Sequence, residues 1–285
     1  MKTKMLITIS LVFISFILLS GFKNDKIKGA ASNYSYIPQG SCIINDSAFS
    51  FDGFWISQIE VTNALYAIFL ADLKQQDNEA DLSIAVVQND KWSKCEYPWL
   101  GVFSEYYHSH KSYADYPVVN ITYDGALLYC KWLTSKLEDK NLEYRLPTKR
   151  EWIYAAKGGF EKTEYAWGGS YLRDKKGDPM CNFLKVGDER VHKGEFGFII
   201  MYLSKLEMIN SNESGGVISP SSSFAPNGWG LFNVCGNVAE IIQEKGLAMG
   251  GSWNDTGYDV RIMSEKKYIE PSPMIGFRPV LVRKK

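Results

Sequence analysis

The residues of this chain whose types suit covalent or metal chemistry are few. There are five cysteines, at 42, 95, 130, 181 and 235, and three histidines, at 108, 110 and 192. No two cysteines stand in a C-x-x-C pair, so neither a dithiol redox motif nor a zinc knuckle is supported. An odd number leaves at least one thiol free even if the others pair. Cys130 lies in Leu127-Leu128-Tyr129-Cys130-Lys131-Trp132-Leu133, which reads as an apolar helix face holding an inert buried thiol. His108-Ser109-His110 would put two imidazoles on one side of a strand, or else form a polar surface loop. Ser252 follows two glycines but has no base near it in sequence, so a serine nucleophile is not supported. Trp152, Trp167, Trp229 and Trp253 read as core or groove-wall residues.

The elements that must position these residues are short. Residues 33 to 61 read as strands, with aromatics near alternate positions between Phe49 and Ile59. Thr62 predicts a cap for a helix through Ala64, Leu65, Ile68, Phe69 and Leu73. Residues 74 to 116 read as irregular, and Thr122 caps a second helix, roughly Asp124 to Leu137. Thr148 and Glu151 have capping-box spacing ahead of Trp152, and Gly158 and Gly159 end that short helix. Residues 160 to 230 read mostly as loop, and short strands return between 231 and 285. There is no internal repeat and no evident linker, which favours one domain.

The 285 residues carry 32 Lys plus Arg against 32 Asp plus Glu, a net charge of zero without a basic block. That excludes the basic face a nucleic-acid binder needs. Forty aromatics and 24 glycines, in a chain 45% hydrophobic, describe a loop-rich globular fold anchored by large rings. Lys2 and Lys4 precede an apolar run from Met5 to Leu19. Residues 1–31 are therefore expected to be a signal peptide or an N-terminal anchor, with the folded part at 33–285. Phe22 follows Gly21 where a lipoprotein signal would have cysteine, so lipid attachment is not supported. Export makes disulfides possible.

Eight segments, in one order across residues 59 to 278, resemble the formylglycine-generating enzyme (sulfatase-modifying factor) family. The first are Ile59-Glu60-Val61-Thr62-Asn63 and Tyr116-Pro117-Val118-Val119-Asn120-Ile121. Tyr144-Arg145-Leu146-Pro147-Thr148 then runs through Glu151-Trp152 to Ala155-Ala156-Lys157-Gly158-Gly159, and Tyr165-Ala166-Trp167-Gly168 follows. The last are Pro226 to Asn233, Gly236-Asn237-Val238-Ala239-Glu240, Gly250-Gly251-Ser252-Trp253 and Gly276-Phe277-Arg278. The resemblance implies a single α+β domain, related to the C-type lectin fold, with little regular secondary structure. The pairing of Gly236–Glu240 with Gly250–Trp253 resembles exported Bacteroidetes-type members, some relatives of which are envelope proteins tied to gliding motility and protein secretion.

The resemblance also shows what is missing. Family enzymes bind copper(I) through two cysteines placed shortly after the Gly-Gly-Ser segment, and soft thiolates are what that ion prefers. Here the first of those positions falls on Asp255 and the second near Val260, and no cysteine occurs after Cys235. No copper is expected. Ala239 and Ile241 flank Glu240 where the family has tryptophans. The iron sulfoxide synthases that contain a related domain take their iron histidines from an extra helical domain, for which this chain has neither length nor histidines.

What the family would retain is calcium. Asn233 and Glu240 match side-chain ligands of a family site, and Gly236 and Val238 match its backbone carbonyls. Such a hard-oxygen set suits Ca²⁺, and an extended 236–240 segment would point alternate residues to one side. A second family site would use Asn182, with Glu213 as its acid. Ser252 and Trp253, with Asp255, fall along the family's ligand groove. Arg278 is expected to tie the C-terminal strand to an internal carboxylate, and Arg145 and Glu151 to be structural. The implied role is a non-catalytic exported binding or assembly module of the bacterial envelope. Its partner would be an envelope protein, a peptide or a glycan, with membrane contact only through the N-terminal segment. The alternative is an oxidoreductase-type enzyme of the same fold with a non-standard site near Ser252, Asp255, Asp259 and Cys235.

Overall fold

The computed structural model describes residues 33–95, 98–184, 190–194, 197–201 and 217–284. Chain order begins with four strands, β1 (Tyr34–Ile37), β2 (Gly40–Ile44), β3 (Ser47–Phe51) and β4 (Phe54–Ser57). Burial alternates along β1 and β2, as a half-covered strand requires, whereas all of β4 is buried. β4 is central because it joins β1 to β12 (Val280–Arg283), and β5 (Leu142–Arg145) completes the sheet in the order β1-β4-β12-β5. Its antiparallel register sets Tyr36 opposite Trp55, and Leu281 opposite both Trp55 and Tyr144.

Helices cover this sheet, and their caps are local. Thr62 accepts from the Leu65 N–H to start α1 (Asn63–Gln75), and Thr122 accepts from the Gly125 N–H to start α5 (Tyr123–Ser135). Thr148 and Glu151 form the capping box of α6 (Lys149–Ala156), and Glu151 also holds Arg145 through two bonds of 2.8 and 2.7 Å. Gly158 then turns the chain at φ 58°. Tyr66, Phe69 and Tyr129 from α1 and α5 interlock with Phe277, with centroids 5.3 to 6.3 Å apart.

Between these helices the chain is more ordered than its sequence pattern suggests. Residues 74 to 116, expected to be irregular, contain α2 (Glu79–Ala85), α3 (Lys91–Lys94), α4 (Phe103–Tyr106) and two short 3₁₀ turns. One-turn helices carry too few residues to show an apolar period. They are held by ring packing instead: Trp92 lies 5.0 Å from Phe103 and 4.9 Å from Tyr107. The stretch expected as loop includes a hairpin, β6 (Arg190–Gly194) with β7 (Gly197–Met201).

The second sheet has the order β10-β9-β8-β11, from β8 (Ala239–Ile241), β9 (Leu247–Met249), β10 (Glu265–Lys267) and β11 (Ile275–Phe277). β11 pairs parallel with β8 and sets Gly276 opposite Glu240. Only Arg278 and Pro279 separate β11 from β12, so Arg278 sits where the two sheets meet. All five cysteines are free thiols. Burial raises the Cys130 thiol far above its usual value and pushes that of Cys235 up to about 12, which keeps both protonated and inert. Among the described residues no helix is long and apolar enough to cross a membrane.

Candidate functional site

Every residue of β8 is buried, so Glu240 is placed in the interior by its strand. An isolated carboxylate there would be prohibitively unfavourable. Arg278 neutralises it through Nε at 2.7 Å and NH2 at 2.6 Å, and the Trp152 indole N–H donates to the same carboxylate at 2.7 Å. The remaining Arg278 donors reach the carbonyls of Ser57, Gln58 and Phe232, so the whole guanidinium fork is used. This is the tie from the C-terminal strand to an internal carboxylate. The Glu240 carboxylate, expected as a calcium ligand, is matched here by Arg278, and a cation at its oxygens would face the guanidinium.

A second buried acid lies beside it. Glu60 is fully enclosed. Asn237 Nδ2 donates to its Oε1 at 2.9 Å, and Asn233 Nδ2 approaches Oε2 at 3.4 Å. Burial pushes the Glu60 carboxyl up to about 8, the nearby Arg278 pulls it down, and the Glu240 charge pushes it up again. Around it, Asn237 Oδ1 accepts from the Ser219 N–H at 2.8 Å and from Asn182 Nδ2 at 3.3 Å. Two buried oxygens in this neighbourhood, Asn233 Oδ1 and Ser221 Oγ, have no hydrogen-bond partner among the described residues. Buried polar atoms are rarely left so. Glu60 was not singled out by its sequence, where it stood only as part of an Ile-Glu-Val-Thr segment.

The 236–240 segment, expected to be extended, is so only from Ala239 onward. Asn233, Gly236 and Asn237 have φ of 53°, 77° and 61°, so the chain bends here and becomes a strand only at Ala239. The bend brings the Gly236 backbone against the Asn182 backbone, where the Asn237 N–H donates to Asn182 O at 2.8 Å. A Cβ on Gly236 would stand 2.2 Å from that oxygen. Gly236→Ala is therefore expected to cost on the order of 2–3 kcal/mol, read as a lower urea midpoint with unchanged slope. A neutral result would mean that this turn does not pack on Asn182. The acid proposed beside Asn182, Glu213, lies outside the described residues.

A hard cation here would have the Glu60 carboxylate and the unpartnered Asn233 Oδ1 to draw on, although Nδ2 is the Asn233 atom turned toward Glu60. Among the described residues no three His, Cys, Asp or Glu side chains come together, so amide and backbone oxygens would have to complete it.

The residues expected along a ligand groove are placed differently. Ser252 and Trp253 are buried, and the Trp253 indole N–H donates to Pro273 O at 3.1 Å. Asp255 accepts from the Ser252 N–H at 2.8 Å and from its hydroxyl, and Lys266 Nζ reaches both its oxygens at 2.6 and 2.7 Å. Asp259 accepts from the Thr256 hydroxyl one turn away. Asp255, which the resemblance sets at the first thiolate position, is an ion-paired carboxylate that closes its own turn. His108 and His110 form no pair on a strand. His108 packs beside Asn89 at 2.7 Å and Val119 O at 3.1 Å, with burial lowering its pKa to about 4, and His110 caps a 3₁₀ turn.

An irregular α+β fold is what the comparisons with known proteins also find. The family described as "Sulfatase-modifying factor enzyme 1-like domain" matches residues 28–283, and the chain belongs to it. It is 34% identical over 127 residues to the formylglycine-generating enzyme of Thermomonospora curvata, covering 44% of this chain and 32% of that protein. It is 30% identical over 151 residues to the inactive Cα-formylglycine-generating enzyme 2 of Bos taurus, covering 50% of this chain and 40% of that protein. The matches span only 26% to 32% of the first three of these curated relatives. Among solved structures, CarF superposes with a TM-score of 0.59 at 19% identity, covering 89% of this chain and 98% of CarF. PvdO from Pseudomonas aeruginosa gives 0.57 at 17%, covering 87% and 93%. At those identities the likeness is one of fold.

Proposed function

We propose that this chain is a non-catalytic, exported member of its family that serves as a binding or assembly module in the bacterial envelope. Its place would be with the envelope proteins tied to gliding motility and protein secretion, and it would use calcium as a structural ion. The observation that carries the reading is Asp255, clamped by Lys266 and Ser252, where the family's oxidase chemistry needs a thiolate. Val260, near the second thiolate position, is fully buried and apolar. An inactive relative supports the idea that this fold outlives its chemistry. The calcium would draw on the Glu60 carboxylate and Asn233 Oδ1, with the Gly236 and Val238 carbonyls that the family resemblance implies, and would join the first strand region to the 233–238 bend.

The test is incubation of the purified domain with copper(I), oxygen and a cysteine-containing sulfatase peptide, followed by mass spectrometry. No formylglycine is expected. Conversion of the cysteine would overturn the non-catalytic reading. Elemental analysis of the same preparation is expected to show stoichiometric calcium without copper or iron, and stoichiometric copper would restore the enzyme alternative.

A further inference from the structure

A broad groove in the described part of the molecule lies away from Glu60 and Asp255. It holds about 800 Å³ between the β3–β4 turn, the start of α6 and the end of β12. That volume is in the range of small-ligand sites. One wall is aromatic. Tyr36 is 43% exposed and packs on the nearly buried Trp55, with centroids 4.6 Å apart. Gly53 makes this seat possible: a Cβ there would stand 2.1 Å from the Tyr36 hydroxyl and 2.8 Å from its ring. The other walls are polar. Arg145 and Glu151 are spent on each other. Arg150, Arg283 and Lys284 are exposed and form no ion pair with a described residue, and Asp52 and Glu143 are the groove's other acids. Arg150 is steadied by the Phe49 ring, 4.0 Å from its guanidinium carbon.

A ring-sized aromatic face beside exposed forked donors and carboxylates suits one ligand chemistry well. A pyranose has a C–H face that stacks on an aromatic ring and a rim of hydroxyls that takes planar donors and acceptors. A peptide partner would instead use a free strand edge or an apolar anchor pocket. One of the strands lining the groove, β5, is paired with β12 on one side and held by Thr134 of α5 on the other, so it offers a peptide no free edge. Three unpaired cations against two acids favour a ligand that brings its own carboxylate, which an arginine takes through two parallel bonds. We propose that this groove binds a uronate-containing oligosaccharide, with Tyr36 as the stacking platform and Arg283 and Lys284 as the carboxylate contacts. The proposal names a ligand for the binding module argued above.

The test is isothermal titration calorimetry of the whole mature domain. The probes are tetragalacturonate, tetramannuronate and a hyaluronan tetrasaccharide, with maltotetraose as the neutral comparison. At least one uronate probe is expected to bind and to weaken as salt rises, with maltotetraose weaker by about tenfold. Tyr36→Ala and Arg283→Gln are each expected to weaken binding by about tenfold, and Arg283→Gln, at an exposed position, to do so without moving the melting temperature. The assignment is overturned if all three uronate probes are silent, if maltotetraose binds equally, or if neither variant weakens binding. Failure here leaves the non-catalytic reading standing, whereas peptide conversion by the oxidase assay would end that reading without touching these titrations.

Discussion

Arg278→Leu is expected to destabilise the domain by about 3–5 kcal/mol, the cost of stranding one partner of a buried ion pair. Arg278 and Glu240 are almost wholly enclosed, so solvent cannot replace what is lost. The substitution leaves Glu240 with only the Trp152 indole N–H as a partner. It also removes the donors to Ser57, Gln58 and Phe232 carbonyls, which hold the end of β4 against the 232–238 segment. A small domain has about 5–15 kcal/mol in total, so the variant would unfold at a much lower urea concentration or fail to accumulate. Adding Glu240→Gln to Arg278→Leu removes the stranded charge and is expected to recover part of the loss. Arg278→Lys keeps the charge without the fork and should fall between. Urea midpoints of the three variants check this. An Arg278→Leu protein within 1 kcal/mol of the parent would show that the tie contributes little.

That tie was readable from the Gly-Phe-Arg close, but its partner was assigned to another task. Glu240 lies 38 residues from Arg278, and pairing across that distance is set by the parallel register of β8 and β11, which no local pattern encodes. The helix starts were legible because Thr62, Thr122 and the Thr148–Glu151 box act within three residues of themselves. The one-turn helices between 91 and 106 were not, because ring packing rather than periodicity holds them. Glu60 was missed for the same reason that the partner of Arg278 was not read. Its environment is made by Asn237, 177 residues away, and an acid read alone gives no sign that it will be buried.

Glu60 supplies the other large effect, and its sign is opposite to that of an ordinary ion-paired carboxylate. Without a cation, its folded pKa of about 8 stands above the ordinary value of 4.5. Between those values the folded protein binds more protons than the unfolded chain, so stability falls as pH rises. The contribution is fully present below about pH 4.5 and is lost by about pH 8, with a ceiling of roughly 5 kcal/mol. In chelator, the parent should therefore melt at lower temperature at pH 8.5 than at pH 6. The calcium proposed above would bind the ionised form and is expected to reverse this. At a hundredfold excess over its dissociation constant it contributes about 2.7 kcal/mol, a rise of roughly 5–10 °C, larger at pH 8.5 than at pH 6. Glu60→Gln keeps the shape and the Asn237 contact but removes the charge. It should be more stable than the parent in chelator at pH 8.5 and should lose the calcium response. A calcium-induced rise that survives in Glu60→Gln would place the ion elsewhere. A flat pH profile of the parent in chelator would mean that Glu60 is ionised and matched without a cation, and the 233–238 bend would then be held by hydrogen bonds alone.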